Sequence, residues 1–192
     1  MPNKTTTNST QELVPNKFVR NIVLDTEATG INPEEGHRIV ELAAIEIIDN
    51  KVSNKRFHRF LNPERDIDAA AEAVHGLSLE RLQDESKFAD IAPALIEFIS
   101  GAELIVHNAP FDIAFLNSEF ELAGLPPVES ICKKITDTLL MARKLYPGKQ
   151  NDLDTLCGRY GIDYSGRTSH GAMLDAELLA EVYLEMAKKQ LH

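Results

Sequence analysis

Residues Ile22-Val23-Leu24-Asp25-Thr26-Glu27 form an apolar run that ends in two carboxylates one residue apart. A short, β-branched apolar run of this kind reads as a buried strand. Side chains alternate faces along an extended chain, so Asp25 and Glu27 project from the same side at the strand's end. Two acids there repel each other, and a hard cation between them relieves the repulsion, because oxygen ligands suit Mg²⁺ or Mn²⁺. Taken alone, a D-x-E more often marks a strand that ends in water with two hydrated acids. The acids further along the chain decide between these readings.

With 192 residues, 43% of them hydrophobic, and no long uncharged apolar run, the chain fits one soluble domain without a membrane span. Cys132 and Cys157, in a sequence with no secretory leader, are expected to be reduced, buried thiols in a cytoplasmic protein. The net charge of -10 is opposite to that of a protein that holds nucleic acid chiefly by neutralising phosphates. A polynucleotide substrate would need bound metal to supply positive charge at the site, and a partner to retain it.

Residues 1–17 are rich in Thr, Asn and Gln and are expected to be a disordered lead-in, with the fold starting at Phe18. After the Asp25-Thr26-Glu27 strand, Ala28-Thr29-Gly30 and Asn32-Pro33 signal a turn. A second strand is expected over 38–48, a hairpin at Asp49-Asn50, and a third, edge-like strand over 51–61. From Pro63 the period changes. Ser78 caps a short helix, Phe88 to Ile99 carries apolar residues at helical spacing, Leu104-Ile105-Val106 is a buried strand, and 109–122 is again helical. A weak strand over 131–135 and helices over 137–146, 151–160 and 172–189 complete a mixed sheet with helices packed on it.

Asp112, in His107-Asn108-Ala109-Pro110-Phe111-Asp112, falls in the first turn of a helix just beyond a strand, a place where the helix dipole alone favours an acid. His170 and Asp175 are five apart, so on one continuous helix they would diverge by about 140°. They converge only if His170 lies in the Gly171-containing lead-in. Asp175 shares a stripe with Leu179, Val182 and Met186 and should face the interior, where a carboxylate needs a partner. Singly, such an acid is more often a cap or salt bridge, and such a histidine more often packed or on the surface.

Together, Asp25 and Glu27 in D-T-E-x-T-G, Asp112 in H-N-A-x-F-D, and His170 with Asp175 in H-x4-D resemble the DEDDh exonucleases, from about Phe18 to Met186. Val74-His75-Gly76-Leu77, the Phe111 to Phe115 segment, the run from Ala142 to Lys149 and Leu153-Asp154-x-Leu156-Cys157 resemble one branch, the proofreading (epsilon) subunits of bacterial DNA polymerase III. The match is weaker to oligoribonuclease or ribonuclease T. Two features depart from the branch: Ala28-Thr29-Gly30 stands for the common T-T-G, and an Ala-rich loop, Ala69-Ala70-Ala71, precedes His75. The polymerase-binding tail of such subunits does not follow Gln190-Leu191-His192, so a truncated catalytic core or a different tether is expected.

The resemblance implies an α/β, ribonuclease H-like fold with a five-stranded mixed sheet, and an exonuclease domain over 18–189 followed by a C-terminal end, 190–192. It also implies a 3′-to-5′ DNA exonuclease that removes mispaired 3′-terminal nucleotides as nucleoside 5′-monophosphates. Two Mg²⁺ or Mn²⁺ ions roughly 4 Å apart would stabilise the attacking and leaving oxygens. By the same resemblance Asp25 would bridge both ions, Glu27 and Asp175 would complete the first ion's shell, Asp112 would serve the second ion, partly through water, and His170, as neutral imidazole, would be the general base. Substrate contacts are expected from Asp25, Glu27, Thr29, His75, Phe111 and Asp175. The implied partners are a single-stranded or frayed DNA 3′ end, the polymerase catalytic (alpha) subunit, a sliding clamp and a small accessory subunit. An RNA-trimming enzyme of the same family and a non-catalytic interaction module on the same fold are the alternatives.

Overall fold

In the computed structural model the described residues are 19–167 and 169–190, so the expectations for residues 1–18 and 191–192 lie outside them. Strand β1 (Arg20–Ala28) pairs antiparallel with β2 (Ile39–Ile48), which pairs antiparallel with β3 (Lys51–Phe60). Asp49 and Asn50 both take positive φ (48° and 62°), the conformation of the two-residue turns that match strand twist. On the other side of β1, β4 (Glu103–Val106) and β5 (Lys134–Asp137) run parallel to it, giving the order β3-β2-β1-β4-β5. The expected five-stranded mixed sheet is present, with β3 and β5 at its edges.

The described residues also form seven α-helices, of which α4 and α7 lie directly on the sheet: α1 (Ala69–His75), α2 (Leu79–Leu82), α3 (Phe88–Ile99), α4 (Ala109–Leu122), α5 (Thr138–Leu145), α6 (Leu153–Tyr160) and α7 (Ala172–Gln190). Three expectations need correction. The Ala69-Ala70-Ala71 segment is the start of α1, not a loop, because three alanines carry the highest helix propensity and Gly76 ends the helix at φ 73°. The weak strand lies over 134–137 instead of 131–135, since Ile131 closes a 3-10 turn over 128–130. Helices α5 and α6 start at 138 and 153, because the Asp137 and Asp152 side chains accept from Leu139 N (2.8 Å) and Thr155 N (2.9 Å) as caps and so stand outside the helix.

The two faces of β1 divide the core. Ile22, Leu24 and Ala28 pack with α3 and α4, including Phe88, Leu95, Phe115 and Phe120. Val23 points the other way, with Ala43 and Ile45 of β2, against Leu156 of α6 and Leu179 and Val182 of α7. Asp25 and Glu27 follow Val23 by steps of two, so the acids are carried on the α7 side while Thr26 faces α4.

Candidate active site

The strand end and the start of α7 meet at one point. His170 lies before the helix, Ala172 begins it, and Asp175, 3% exposed, sits in its first turn. Glu27, His170 and Asp175 each offer a ligand atom within 4.8 Å of the others. The convergence therefore depends, as the sequence requires, on His170 being in the loop. A further acid fixes that loop: buried Glu41, opposite Glu27 on β2, accepts from Ala172 N (3.2 Å) and pairs with His58 Nε2 (2.7 Å). It caps α7 from the sheet.

Asp112 arrives from the opposite layer. Asn108 takes the left-handed conformation (φ 63°), which Asn tolerates better than most residues, and turns the chain from β4 into α4. Asp112 is then 4% exposed in the first turn of α4, where its Oδ1 accepts from Thr26 Oγ1 at 2.7 Å. Thr26, between Asp25 and Glu27 on the other face, is the link that holds Asp112 against the strand. The sequence reading overlooked Thr26 and Glu41. The signal for Thr26 was that a hydroxyl on the core face of a buried strand needs a partner.

Arg167 is the functional residue that sequence reasoning missed most plainly. Its guanidinium donates through Nε and Nη2 to both oxygens of Asp175 (2.6 Å each), through Nη1 to Asp154 (2.6 Å), and through Nη2 to His170 Nδ1 (2.7 Å). Guanidinium has no acceptor, so His170 Nδ1 is the acceptor there and its lone pair is engaged. The buried Asp175 had announced a missing counter-ion, and an Arg three residues before His170 was within reach. We expect Arg167→Ala in EDTA to lose about 3–5 kcal/mol of stability, the usual cost of stripping one partner from a buried pair. Chemical denaturation measures this. Because a divalent ion can take over the charge, the deficit should shrink with saturating Mn²⁺; an undiminished deficit would mean that Arg167 serves packing alone.

Two cavities flank the acids. One, about 340 Å³, lies beside Glu27 and is walled by Ala28, Ile31, Ala71, Val74, His75 and Phe111. His75 is buried, and both ring nitrogens are used: Nδ1 accepts from Leu77 N (3.0 Å), so Nε2 donates to Ala28 O (3.2 Å). Burial also lowers its pKa, keeping it neutral. Phe111 is half-buried, with its ring 4.9 Å from that of Phe115. Thr29 is different from what the sequence led us to expect. It is fully buried with its hydroxyl held by His37 Nδ1 (2.9 Å) and Arg38 N (3.0 Å), so its side chain supports the turn instead of facing the cavity. The second cavity, about 770 Å³, starts at Asp25, His170 and Asp175 and runs along His107 and the 143–154 segment.

The sequence model of the exonuclease family, RNase_T, matches residues 22–183, which spans every one of these acids. The chain belongs to the exonuclease family. Its similarity to DNA polymerase III subunit epsilon of Escherichia coli strain K12 is 49% identity over 179 residues, covering 90% of this chain and 73% of that protein. To the epsilon subunit of Rickettsia felis it is 48% identical over 169 residues, with 88% and 74% covered. Among solved structures, the nuclease domain of 3′hExo, a DEDDh family member, bound to rAMP, has the same fold with a TM-score of 0.75 at 20% identity, over 91% of this chain and 94% of that one. Exonuclease X in complex with 5′ overhanging duplex DNA aligns at a TM-score of 0.69 and 22% identity, over 90% and 93%. The enzyme is thus a 3′-to-5′ exonuclease related to the proofreading subunit of the bacterial replicative polymerase.

Exonucleases of this family use divalent metal ions, and the donor set here fits them. Burial, then the charges of Asp112, Asp175 and Glu27, raises the Asp25 pKa well above the usual carboxylate range. Burial followed by Asp175 and Glu41 pushes Glu27 up to about 8, and burial pushes Asp112 to about 7 against the opposing Thr26 hydrogen bond. Packed oxygen donors that resist carrying their charges are what a divalent cation stabilises. The sign for stability follows. Folded-state pKa values above the unfolded ones mean that the native state holds more protons, so stability falls as pH rises from about 4 through about 8. In EDTA the melting temperature should therefore drop between pH 5.5 and pH 8. Mn²⁺ should raise it, most at pH 8, by binding only the folded state, and much less in an Asp25→Asn, Asp112→Asn double variant. Equal Mn²⁺ shifts in parent and double variant would place the metal elsewhere.

Proposed function

We propose that this exonuclease removes mispaired nucleotides from the 3′ end of DNA as nucleoside 5′-monophosphates, as the editing subunit of a bacterial replicative polymerase, with residues 18–189 as its catalytic domain. The observation that carries this is the small apolar cavity bounded by Val74, His75 and Phe111 and opening beside Glu27, which is the size of one nucleoside. A terminal nucleoside stacked there places its phosphate over the acids. Its walls offer aromatic and aliphatic contact, with both polar atoms of the His75 ring already bonded, so any base is accepted. Selection for a mispair then comes from unpairing, which costs less at a mismatched end than at a paired one.

Asp25 would help hold both of two Mg²⁺ or Mn²⁺ ions, Glu27 and Asp175 would hold one with it, and Asp112, held by Thr26, would serve the other. When bound, such ions stabilise the attacking and leaving oxygens of the phosphodiester. The imidazole of His170 is the group placed to take the proton from attacking water, once its Nδ1 or Nε2 presents a lone pair to the site. Half-exposed beside Asp175 (3.3 Å), it can reach solvent without leaving the acids. The polymerase catalytic subunit, a sliding clamp and a small accessory subunit are the proposed partners, and they offset the weak hold that a chain of net charge -10 has on DNA.

Single-turnover hydrolysis of a 3′-mismatched primer in Mg²⁺ or Mn²⁺, beside its paired counterpart and a matched RNA oligomer, tests the proposal. Faster release of 5′-monophosphate from the mismatched DNA supports it. A preference for RNA would move the chain to the RNA-trimming branch, and no turnover at all would leave an interaction module.

A further inference from the structure

We infer that the larger cleft is the track of the single strand on the 5′ side of the cut, and that Arg143 and Lys149 hold its phosphates; this rests on the proposed function. The two cavities meet the acids from different sides: the apolar one contains Glu27, the larger one Asp25 and Asp175. A strand whose scissile phosphate lies over the acids must put its terminal nucleoside on one side and everything upstream on the other. The apolar cavity, about 340 Å³, has room for one nucleoside and no cationic wall. The cleft, about 770 Å³, is more than twice as large and carries three basic side chains, Arg143, Lys149 and Arg167.

The charges in that cleft divide by what already engages them. Asp175 and Asp154 are bound by Arg167, and Asp152 is occupied as the cap of α6, where its oxygens accept from Thr155 N and Oγ1 at 2.9 and 2.8 Å. Among the described residues no carboxylate pairs with Arg143 or Lys149, both exposed, whereas Arg167 in the same cleft is paired with Asp154 and Asp175. Arg143 and Lys149 are therefore the two basic side chains of the cleft wall left without a carboxylate partner, in a chain whose total is -10. The wall is also preformed. Arg159 donates to Gln150 O (2.8 Å) and Asn151 Oδ1 (3.1 Å), buried Asn151 donates to Lys149 O (2.9 Å), and the Arg159 guanidinium lies 4.1 Å from the centre of the Tyr146 ring. The Tyr146–Asn151 turn that carries Lys149 is thus braced from below, so little ordering entropy opposes strand binding.

The test compares the parent with Arg143→Ala, Lys149→Ala on two substrates. Single-stranded oligodeoxynucleotides fill both sides of the acids, whereas the p-nitrophenyl ester of thymidine 5′-phosphate has no nucleotide on the upstream side. The variant should raise KM for a ten-nucleotide strand by roughly tenfold at low salt and flatten the dependence of log kcat/KM on log salt by about 1.4, two phosphates at 0.7 each. Hydrolysis of the ester should change by less than twofold. The parent's KM should fall as the strand is lengthened from two to five nucleotides, and the variant's should fall much less. An unchanged KM and salt slope would overturn the assignment, as would equal losses on both substrates, which would mean a damaged centre. A parent that cleaves neither substrate would instead defeat the proposed function.

Discussion

Asp25→Ala is expected to leave hydrolysis at least about a thousandfold below the parent, because the ligand proposed to serve both ions would contribute several kcal/mol to stabilising the transition state. Its charge is opposed by burial and then by Asp112, Asp175 and Glu27. The same repulsion gives the prediction a second, independent side. Replacing Asp25 by Asn removes one charge from the cluster, so in EDTA the variant should melt higher than the parent near pH 8 while being inactive. Loss of activity with gain of stability cannot come from a damaged fold. Asp175→Ala should be equally inactive but less stable, since it leaves Arg167 buried without its partner. Single-turnover rates and melting curves on the two variants decide; activity within tenfold of the parent in either would sink the two-metal assignment.

The candidate metal-binding residues were easier to read than the residues that place them. Asp25, Glu27, Asp112, His170 and Asp175 stand at motif positions, and their neighbourhood follows from two periodicities: the step of two along β1, and the step of three or four along α7 that puts Asp175 with buried Leu179, Val182 and Met186. The supporting groups come from far along the chain and have no periodicity. Glu41 caps a helix 131 residues later, and Thr26 reaches across 86 residues to Asp112. Only a question about unmet partners could have found them. Arg167 is the instructive case, because Asp175 on a buried stripe calls for a partner and a salt bridge is its commoner fate when alone, yet nothing in the sequence pattern names Arg167 as that partner.

The fold was legible for similar reasons and failed where local chemistry competed with pattern. The long strands and helices have enough repeats of their period to be unambiguous. Ala69 to His75 has only seven residues and one buried side chain, so hydrophobic periodicity had nothing to report and propensity alone formed the helix. Ile131 imitates the start of a strand by composition, but Val128 and Ile131 close a turn through Ile131 N to Val128 O (3.0 Å), and pairing with β4 begins only at Lys134. Thr29 looked like a substrate contact because of its motif, and buried geometry gives its hydroxyl to His37. The same ring explains Gly30: a Cβ there would stand 2.3 Å from His37 Cε1.

His170→Ala should lower kcat on the order of 10²- to 10⁴-fold, the usual loss of a general base, and leave affinity for a mismatched primer end near that of the parent. Its position favours this over a packing role. The side chain is half exposed, outside both core clusters, and among the described residues hydrogen-bonds Arg167 with Asp175 Oδ2 3.3 Å away, so its removal opens no cavity and strips no apolar contact. Stability should therefore stay within about 0.5 kcal/mol, as for ordinary surface substitutions. The structure adds a condition that the sequence could not supply. Arg167 donates to Nδ1, so the lone pair there becomes available only when the guanidinium is drawn elsewhere. Turnover rate, primer affinity and melting temperature on this one variant separate the cases: a stable protein with near-normal kcat would remove His170 from the mechanism, and a destabilised one with normal turnover in its folded fraction would make it structural.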